Sequence, residues 1–371
     1  MRALLIVNPH ATTTTQLRRD VIAHALASQM DLEVVETRYR GHAASLAEMA
    51  TADGHQLVLT LGGDGTVNEA VNGLLRSASA ACPASTAPAG TAPAGTAPGS
   101  TAPAGTAPGS TAPGSTTPGS AAPGSTAPAS TAPGGPAPVA RPALAALPGG
   151  NANVFTRALG LPADLIDATG QIIQAVQAGR HRNIGLGRID LTGLASRYFT
   201  FNAGLGLDAE VVRVIEGLRA RGQPATSWLY VWTALRQFYA VTDRRHPALT
   251  LECDGRPPVG HLFMGIVSNT SPWTYLGHRP VNPSPRADFD TGLDLFALRR
   301  LRTMSTLNAL RQMITPRRAP LSGRDVVSLH DQPEFRISSG RPVAVQIDGE
   351  YVGEHEVVTF RSVPDALRVI A

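Results

Sequence analysis

The chain has 371 residues, 43% of them hydrophobic and 16% charged, with a formal net charge of +4. Every basic residue is Arg, so the absence of Lys excludes Schiff-base chemistry, pyridoxal phosphate attachment and the lysine-dependent P-loop and protein-kinase sites. The mild, scattered basicity fits an anionic substrate or membrane surface and gives no sign of a nucleic-acid binder. Cys82 and Cys253 form no CxxC pair and no zinc set, and are expected as unpaired thiols.

Residues 3–7 form a short apolar run that stops at Asn8-Pro9, a turn signal, which predicts a buried parallel strand. The run is too short for a signal-peptide core. No stretch of about 18 apolar residues follows, so a cytoplasmic protein, soluble or peripherally membrane-associated, is expected. Helical spacing over 17–30, a strand at 32–37, a helix at 42–50 and a strand at 56–61 continue the pattern. Gly62-Gly63-Asp64-Gly65-Thr66 comes next, then a helix at 67–75. Strands alternating with helices predict a doubly wound parallel sheet.

Over 78–142 the pattern gives way to a degenerate Pro/Ala/Gly/Thr/Ser pentapeptide repeat with no aromatics and a single charge, Arg141. Such a segment has too little apolar surface to offset chain entropy and is expected to be disordered. Setting aside about 60 residues leaves roughly 310, enough for two ordinary cores. An apolar strand at 143–147 and a helix at 154–160 resume the first pattern, so the repeat reads as an insertion within one domain. Beyond residue 180 short strands dominate, at 182–191, 198–202, 248–253, 262–268, 293–298, 336–338, 343–347 and 357–361. They predict an antiparallel sandwich or barrel. An aromatic-rich helix is expected at 227–241. It and Pro272-Trp273-Thr274-Tyr275-Leu276 are candidates for contact with a membrane interface.

A strand that runs into three glycines and then a helix suits a phosphate. The glycines let backbone N–H groups approach the anion, and the helix N-terminus adds about half a positive charge. Asp64 can hold Mg²⁺, and Thr66 can cap the helix or contact phosphate.

The segment from Gly62-Gly63-Asp64-Gly65-Thr66 through Val67-Asn68-Glu69-Ala70-Val71-Asn72-Gly73 resembles the nucleotide-binding signature of the diacylglycerol kinase catalytic family, in its bacterial diacylglycerol- and sphingosine-type branch. Asn8-Pro9, Thr37 before Gly41-His42-Ala43, Leu147-Pro148-Gly149-Gly150-Asn151-Ala152-Asn153, Asn202-Ala203-Gly204-Leu205-Gly206-Leu207-Asp208 and Asp348-Gly349-Glu350 agree in order. Two departures stand out: no glycine follows Asn8-Pro9, and Asn151 replaces a threonine.

The resemblance implies a nucleotide-binding α/β domain over 1–160, interrupted by the repeat at 78–142. It also implies a β-sandwich lipid-substrate domain over 161–360 and a return of 361–371 to the first domain. It implies ATP and Mg²⁺ as cofactors. ATP would be bound by Asn8, Thr37, Gly62, Gly63, Asp64, Gly65, Thr66, Glu69 and Asn151. The metal would lie at Asp64 and at an acidic turn holding Asp290 and Asp294. Phosphoryl transfer needs positioning, charge neutralisation and a proton acceptor. Glu350 is the expected base, with Asp348 orienting it, and Asp64 completes the catalytic set. Asp208 and Glu210 read equally as metal-supporting residues or surface charges.

The expected activity is ATP-dependent phosphorylation of a lipid hydroxyl, diacylglycerol to phosphatidic acid. The partner is then a lipid at a membrane surface, with no nucleic acid and with a homodimer left open. The alternatives are an NAD kinase-like enzyme with a soluble substrate and a catalytically weak regulatory module.

Overall fold

The computed structural model describes residues 1–11, 15–80, 141–221, 233, 236, 246–316 and 318–371. Apart from Thr233 and Arg236, the aromatic helix expected at 227–241 lies outside them, as do nearly all of the repeat and Cys82; Cys253 is a free thiol.

Four parallel strands, β1 (Arg2–Val7), β2 (Asp31–Glu36), β3 (Leu57–Gly62) and β4 (Ala143–Pro148), lie in the order β2-β1-β3-β4. Apart from exposed Arg2 and buried Thr60, strands β1, β3 and β4 are apolar because both faces are covered. Leu4, Ile6, Val58, Leu144 and Ala146 pack towards α2 (His42–Ala52), α3 (Asp64–Ala80) and α4 (Val154–Ala158). Leu5, Val7, Leu59, Leu61 and Ala145 pack with α1 (Gln16–Ala27) and α5 (Leu165–Gln177). Helix α5, capped by the Asp164 carboxylate on the N–H groups of Ile166 and Asp167, is not anticipated by the sequence analysis.

Helix α3 differs from expectation at both ends. It begins at Asp64, three residues early, because the Thr66 and Val67 N–H groups donate to the Gly63 carbonyl and draw the motif into the first turn. It ends at Ala80, so the segment bearing the repeat joins α3 to β4.

The second half contributes β5 (Arg182–Leu191), β6 (Arg197–Phe199), β7 (Asn202–Gly206), β8 (Leu249–Glu252), β9 (Val259–Leu262) and β10 (Met264–Ser268). A small hairpin, β11 (Thr274–Leu276) with β12 (Arg279–Val281), stands apart from the main sheet. Strands β13 (Leu293–Leu298), β14 (Val326–Gln332), β15 (Glu334–Ile347) and β16 (Glu350–Val369) follow. Two more unanticipated helices, α6 (Leu207–Ala220) and α7 (Thr303–Ile314), sit among them.

These antiparallel strands and the parallel four form one hydrogen-bonded sheet of 14 strands among the described residues. Bulges in β15 after Ser338, and in β16 at Val352 and after Val363, bend the two longest strands. The sheet thereby curls around a second core that includes Ile189, Phe199, Leu205, Leu295, Phe335 and Phe360, forming the sandwich. The C-terminal return is narrow: Val369 pairs with Leu144 and the Ile370 N–H donates to the Leu144 carbonyl at 2.9 Å.

The β3 and β4 exits touch backbone to backbone. The Gly149 N–H donates to the Gly62 carbonyl at 2.9 Å, and a Cβ on Gly150 would sit 2.6 Å from the Gly63 Cα. Gly150→Ala must force the two loops apart, with an expected loss of about 1–3 kcal/mol. A lowered thermal midpoint with retained secondary structure by circular dichroism checks this.

Candidate active site

The expected nucleotide residues sit on neighbouring carboxyl ends of the parallel strands, where open α/β sheets bind ligands. Asn8 follows β1, Thr37 follows β2, Gly62 to Thr66 follow β3, and Gly149 to Asn151 follow β4. The Asn8 amide donates to the Thr66 hydroxyl at 3.1 Å, locking the β1 exit to the first turn of α3. Of Thr12 to Thr15, whose hydroxyls could stand in for the missing glycine, Thr12 to Thr14 lie outside the described residues and Thr15 caps α1, its hydroxyl accepting from the Arg18 N–H. Asn151 is exposed. The loop is instead closed by Asn153, whose amide accepts from the Gly150 N–H at 2.8 Å and donates to its carbonyl at 2.7 Å. Glu69 is not turned to this loop: its carboxylate accepts from the Gly41 and Ala43 N–H groups and caps α2.

Asp64 accepts a hydrogen bond from the Phe155 N–H at 3.1 Å, so its carboxylate also caps α4. Burial pushes the carboxyl up to about 6, with the α4 amides opposing and nearby Asp348 reinforcing the shift. Tyr275, on the small hairpin, lies close enough to feel the Asp64 charge; burial raises its hydroxyl, and the Arg157 guanidinium stacks 3.2 Å from its ring centre. Tyr275 and Trp273, the residues considered for membrane contact, are both half-buried against the protein cores.

Asp348 is buried and adopts φ 48° at the turn between β15 and β16. One carboxylate oxygen accepts from the Asn68 amide (2.7 Å), the Thr200 N–H (2.7 Å) and the Thr200 hydroxyl (2.8 Å). The other accepts from the Phe201 and Asn202 N–H groups, each at 3.0 Å. Burial pushes this carboxyl up while the donors pull against it. All its acceptor capacity is used, so Asp348 is a tether that fixes the turn.

Glu350, two residues on, is held by two arginines. Arg40 donates through two guanidinium nitrogens, Nε at 2.8 Å, and Arg197 donates at 2.9 Å. Burial alone would raise the Glu350 carboxyl, but Arg197 and Arg40 together hold it below the usual carboxylate range. The expected general base is therefore ionised but not free. Arg40 reaches it from the loop between β2 and α2 and also pairs with Glu216 on α6 at 3.6 Å.

Asp290 and Asp294 do not join Asp64. Asp290 is paired with Arg182 at 2.8 Å, and Asp294 accepts from His330 Nδ1 at 2.7 Å and the Asp331 N–H at 3.0 Å. Their oxygens face cations and donors already, and no metal-holding cluster of three His, Cys, Asp or Glu exists among the described residues. The structure therefore does not bring the two parts of the expected metal set together. Asp64 alone fits, since Mg²⁺ is commonly held by one or two carboxylates with substrate phosphates supplying further oxygens. Asp208 is buried beneath the Asp348 turn, accepting from Gln346 Nε2 at 2.8 Å; Oε1 of the same Gln346 amide in turn accepts from the Gly349 N–H. Burial pushes Asp208 up to about 6. A Cβ on residue 204 would meet its Oδ2 at 1.7 Å, so Gly204 is required by the carboxylate, not by a ligand.

The first domain's fold and loop arrangement agree with one family model. Residues 2–101 match the diacylglycerol kinase catalytic domain. Over those residues the chain is similar to a kinase-type catalytic domain. A Bacillus anthracis structure described as a diacylglycerol kinase is similar over 100% of this chain and 96% of its own, with a TM-score of 0.61 and 16% identity. A second, provisionally assigned diacylglycerol kinase from the same organism aligns over the same shares, at 0.64 and 18%. At these identities the likeness establishes the shared fold. No curated protein matches the chain significantly.

Sequence reasoning missed Arg40, Arg197, Thr200 and Gln346, which carry no local signal. Asn68 and Asn72 were findable: two amides four apart stand on the apolar face formed by Val67, Ala70, Val71 and Leu74. They bond to one another and to the Tyr198 backbone.

Because Asp208 titrates at about 6 when folded, above the ordinary carboxylate value, its share of stability is present at low pH and lost as pH rises from about 4 to 6. Asp208→Asn should therefore stabilise the protein at pH 7, by an amount on the order of 1–3 kcal/mol, and should not at pH 4. Asp348→Asn turns an acceptor into a donor facing donors and should cost about 3 kcal/mol or more. Urea unfolding at both pH values measures each.

Proposed function

We propose that this protein transfers the γ-phosphoryl group of ATP to the hydroxyl of a membrane lipid, with diacylglycerol as acceptor and phosphatidic acid as product. The observation that carries this reading is the junction of two parts. The Gly62 to Thr66 turn of the diacylglycerol kinase-like domain and the Asp348–Glu350 turn of the sandwich are joined through Asn68.

The backbone N–H groups around Gly63 and the N-terminus of α3 suit the ATP phosphates. Mg²⁺ held at Asp64 would neutralise charge on the transferring group. Arg40 and Arg197 offer positive charge next to the carboxylate that must accept the lipid proton. In this proposal ATP phosphates compete for Arg40, which is exposed and comes from the nucleotide side. Glu350 is then released as the base while Asp348 keeps the turn in place.

The double-arginine clamp also supports a second reading, a nucleotide-binding module without turnover, in which Glu350 stays locked. The two readings part in a transfer assay. Under the kinase reading, Glu350→Gln lowers single-turnover phosphorylation of diacylglycerol by about 10²–10⁴ with nucleotide affinity nearly unchanged. Arg40→Ala raises KM for ATP more than it lowers kcat. Asp64→Asn removes turnover and leaves the fold intact. Radiolabelled ATP offered with diacylglycerol, ceramide, sphingosine or NAD identifies the acceptor. Absence of transfer to every acceptor by the wild-type protein would leave the binding module.

A further inference from the structure

Four of the exposed large hydrophobic side chains among the described residues fall on one helix away from the site, Met304, Leu307, Leu310 and Ile314. Helix α7 packs Ala309, Gln312 and Met313 inward against a core that includes Ile266, Phe296 and Leu298. Its rotation is fixed by Gln312, which donates to the Ser322 carbonyl at 2.8 Å and accepts from the Ser322 N–H at 3.1 Å. That setting leaves Met304 77%, Leu307 52%, Leu310 45% and Ile314 37% exposed. At 3.6 residues per turn these four side chains fall within roughly 120° of arc. They form one stripe on the side opposite the buried residues.

The charge around the stripe is equally one-sided. Between Asp294 and Asp325 the chain has seven Arg and no Asp or Glu, while the rest of the sequence has more acids than bases. Arg299, Arg300, Arg302, Arg311 and Arg318 are exposed and form no ion pair among the described residues. Scattered surface leucines need no explanation, but an apolar stripe on one helix with unpaired Arg311 on the same face and further unpaired cations beside it does. This combination matches a helix lying in an anionic lipid interface, its apolar face among the acyl chains and its guanidinium groups at the phosphates.

We infer that α7 is the membrane-docking element of this protein and that its partner is an anionic phospholipid surface. The inference builds on the lipid-kinase reading and gives that reading a point of attachment. The Asn282 N–H donates to the Met313 carbonyl at 2.9 Å, and the Trp273 N–H to the Val281 carbonyl at 3.0 Å. A docked α7 is thus joined to the β11–β12 hairpin that carries Tyr275 to the neighbourhood of Asp64.

Sedimentation of the full chain with phosphatidylglycerol-containing or pure phosphatidylcholine vesicles, without ATP, tests it. Wild type should bind the anionic vesicles preferentially and release in high salt. Leu307→Gln with Leu310→Gln should weaken partitioning by about tenfold or more, with an unchanged melting temperature. Arg300→Gln, Arg302→Gln and Arg311→Gln together should erase the preference for anionic vesicles. Wild type that fails to bind, or variants that bind as it does, would overturn the inference. So would a wild-type dimer in solution that Leu307→Gln converts to monomer, because the stripe would then face a second copy. Vesicle binding through α7 without phosphorylation of any lipid would instead defeat the kinase reading and leave the docking element standing.

Discussion

The Asp348 carboxylate takes five hydrogen bonds in a buried position, four from the corner between β6 and β7 and one from Asn68 on α3. Corner and helix belong to the two halves of the molecule, so a single buried charge joins the phosphate-type turn to the sandwich. A carboxylate in this setting is tolerable only because its donors replace its lost hydration. The same satisfaction makes the turn rigid. The positive φ of Asp348 and the Gly349 N–H bond to Gln346 then set where Glu350 emerges.

Around that tether the site is assembled from cations and compressed backbone. Arg is the chain's only permanent side-chain cation, and two arginines converge on Glu350 from different elements. A guanidinium fork suits this task because it can hold a carboxylate and still exchange it for a phosphate of similar geometry. The buried carboxyls of Asp64 and Asp208 are pushed in the opposite direction, upward, for lack of such a partner. Three neighbouring acids therefore have distinct electrostatic characters: Glu350 ionised by ion pairing, Asp64 poised near neutrality, and Asp208 confined beneath the turn. Glycine serves this assembly by absence of bulk. At Gly150 it lets two loops touch, and at Gly204 it leaves room for the Asp208 carboxylate.

Much of the fold was legible because its signals are local. The runs at 3–7, 56–61 and 143–147 are apolar on both faces, which a covered parallel strand requires and an exposed one could not tolerate. The order of the glycine motifs pointed to the family model that residues 2–101 match and to the loops at the strand ends. Helices α5, α6 and α7 were not anticipated; the rotation of α7 is set by the Gln312 bonds to Ser322, 10 positions on, a pairing that no local pattern marks. The acidic turn misled for a related reason. Asp290 and Asp294 lie close in sequence, but one side chain meets Arg182 on β5 and the other meets His330 on β14.

The sequence by itself determined the four parallel strands, the glycine turn that follows the third of them, and that all permanent positive charge is guanidinium. Those properties follow from residue type and nearest neighbours along the chain. Only the tertiary structure decided that Asp348 is a tether, that Glu350 is clamped, that Glu69 caps a helix and that Asn153 closes the loop in place of Asn151. Each of these roles depends on which donor stands opposite a carboxylate or amide. The partners lie as far as 310 positions away along the chain, between Arg40 and Glu350. Nothing in the local pattern around either residue encodes the other; their meeting is set by the path of the strands between them.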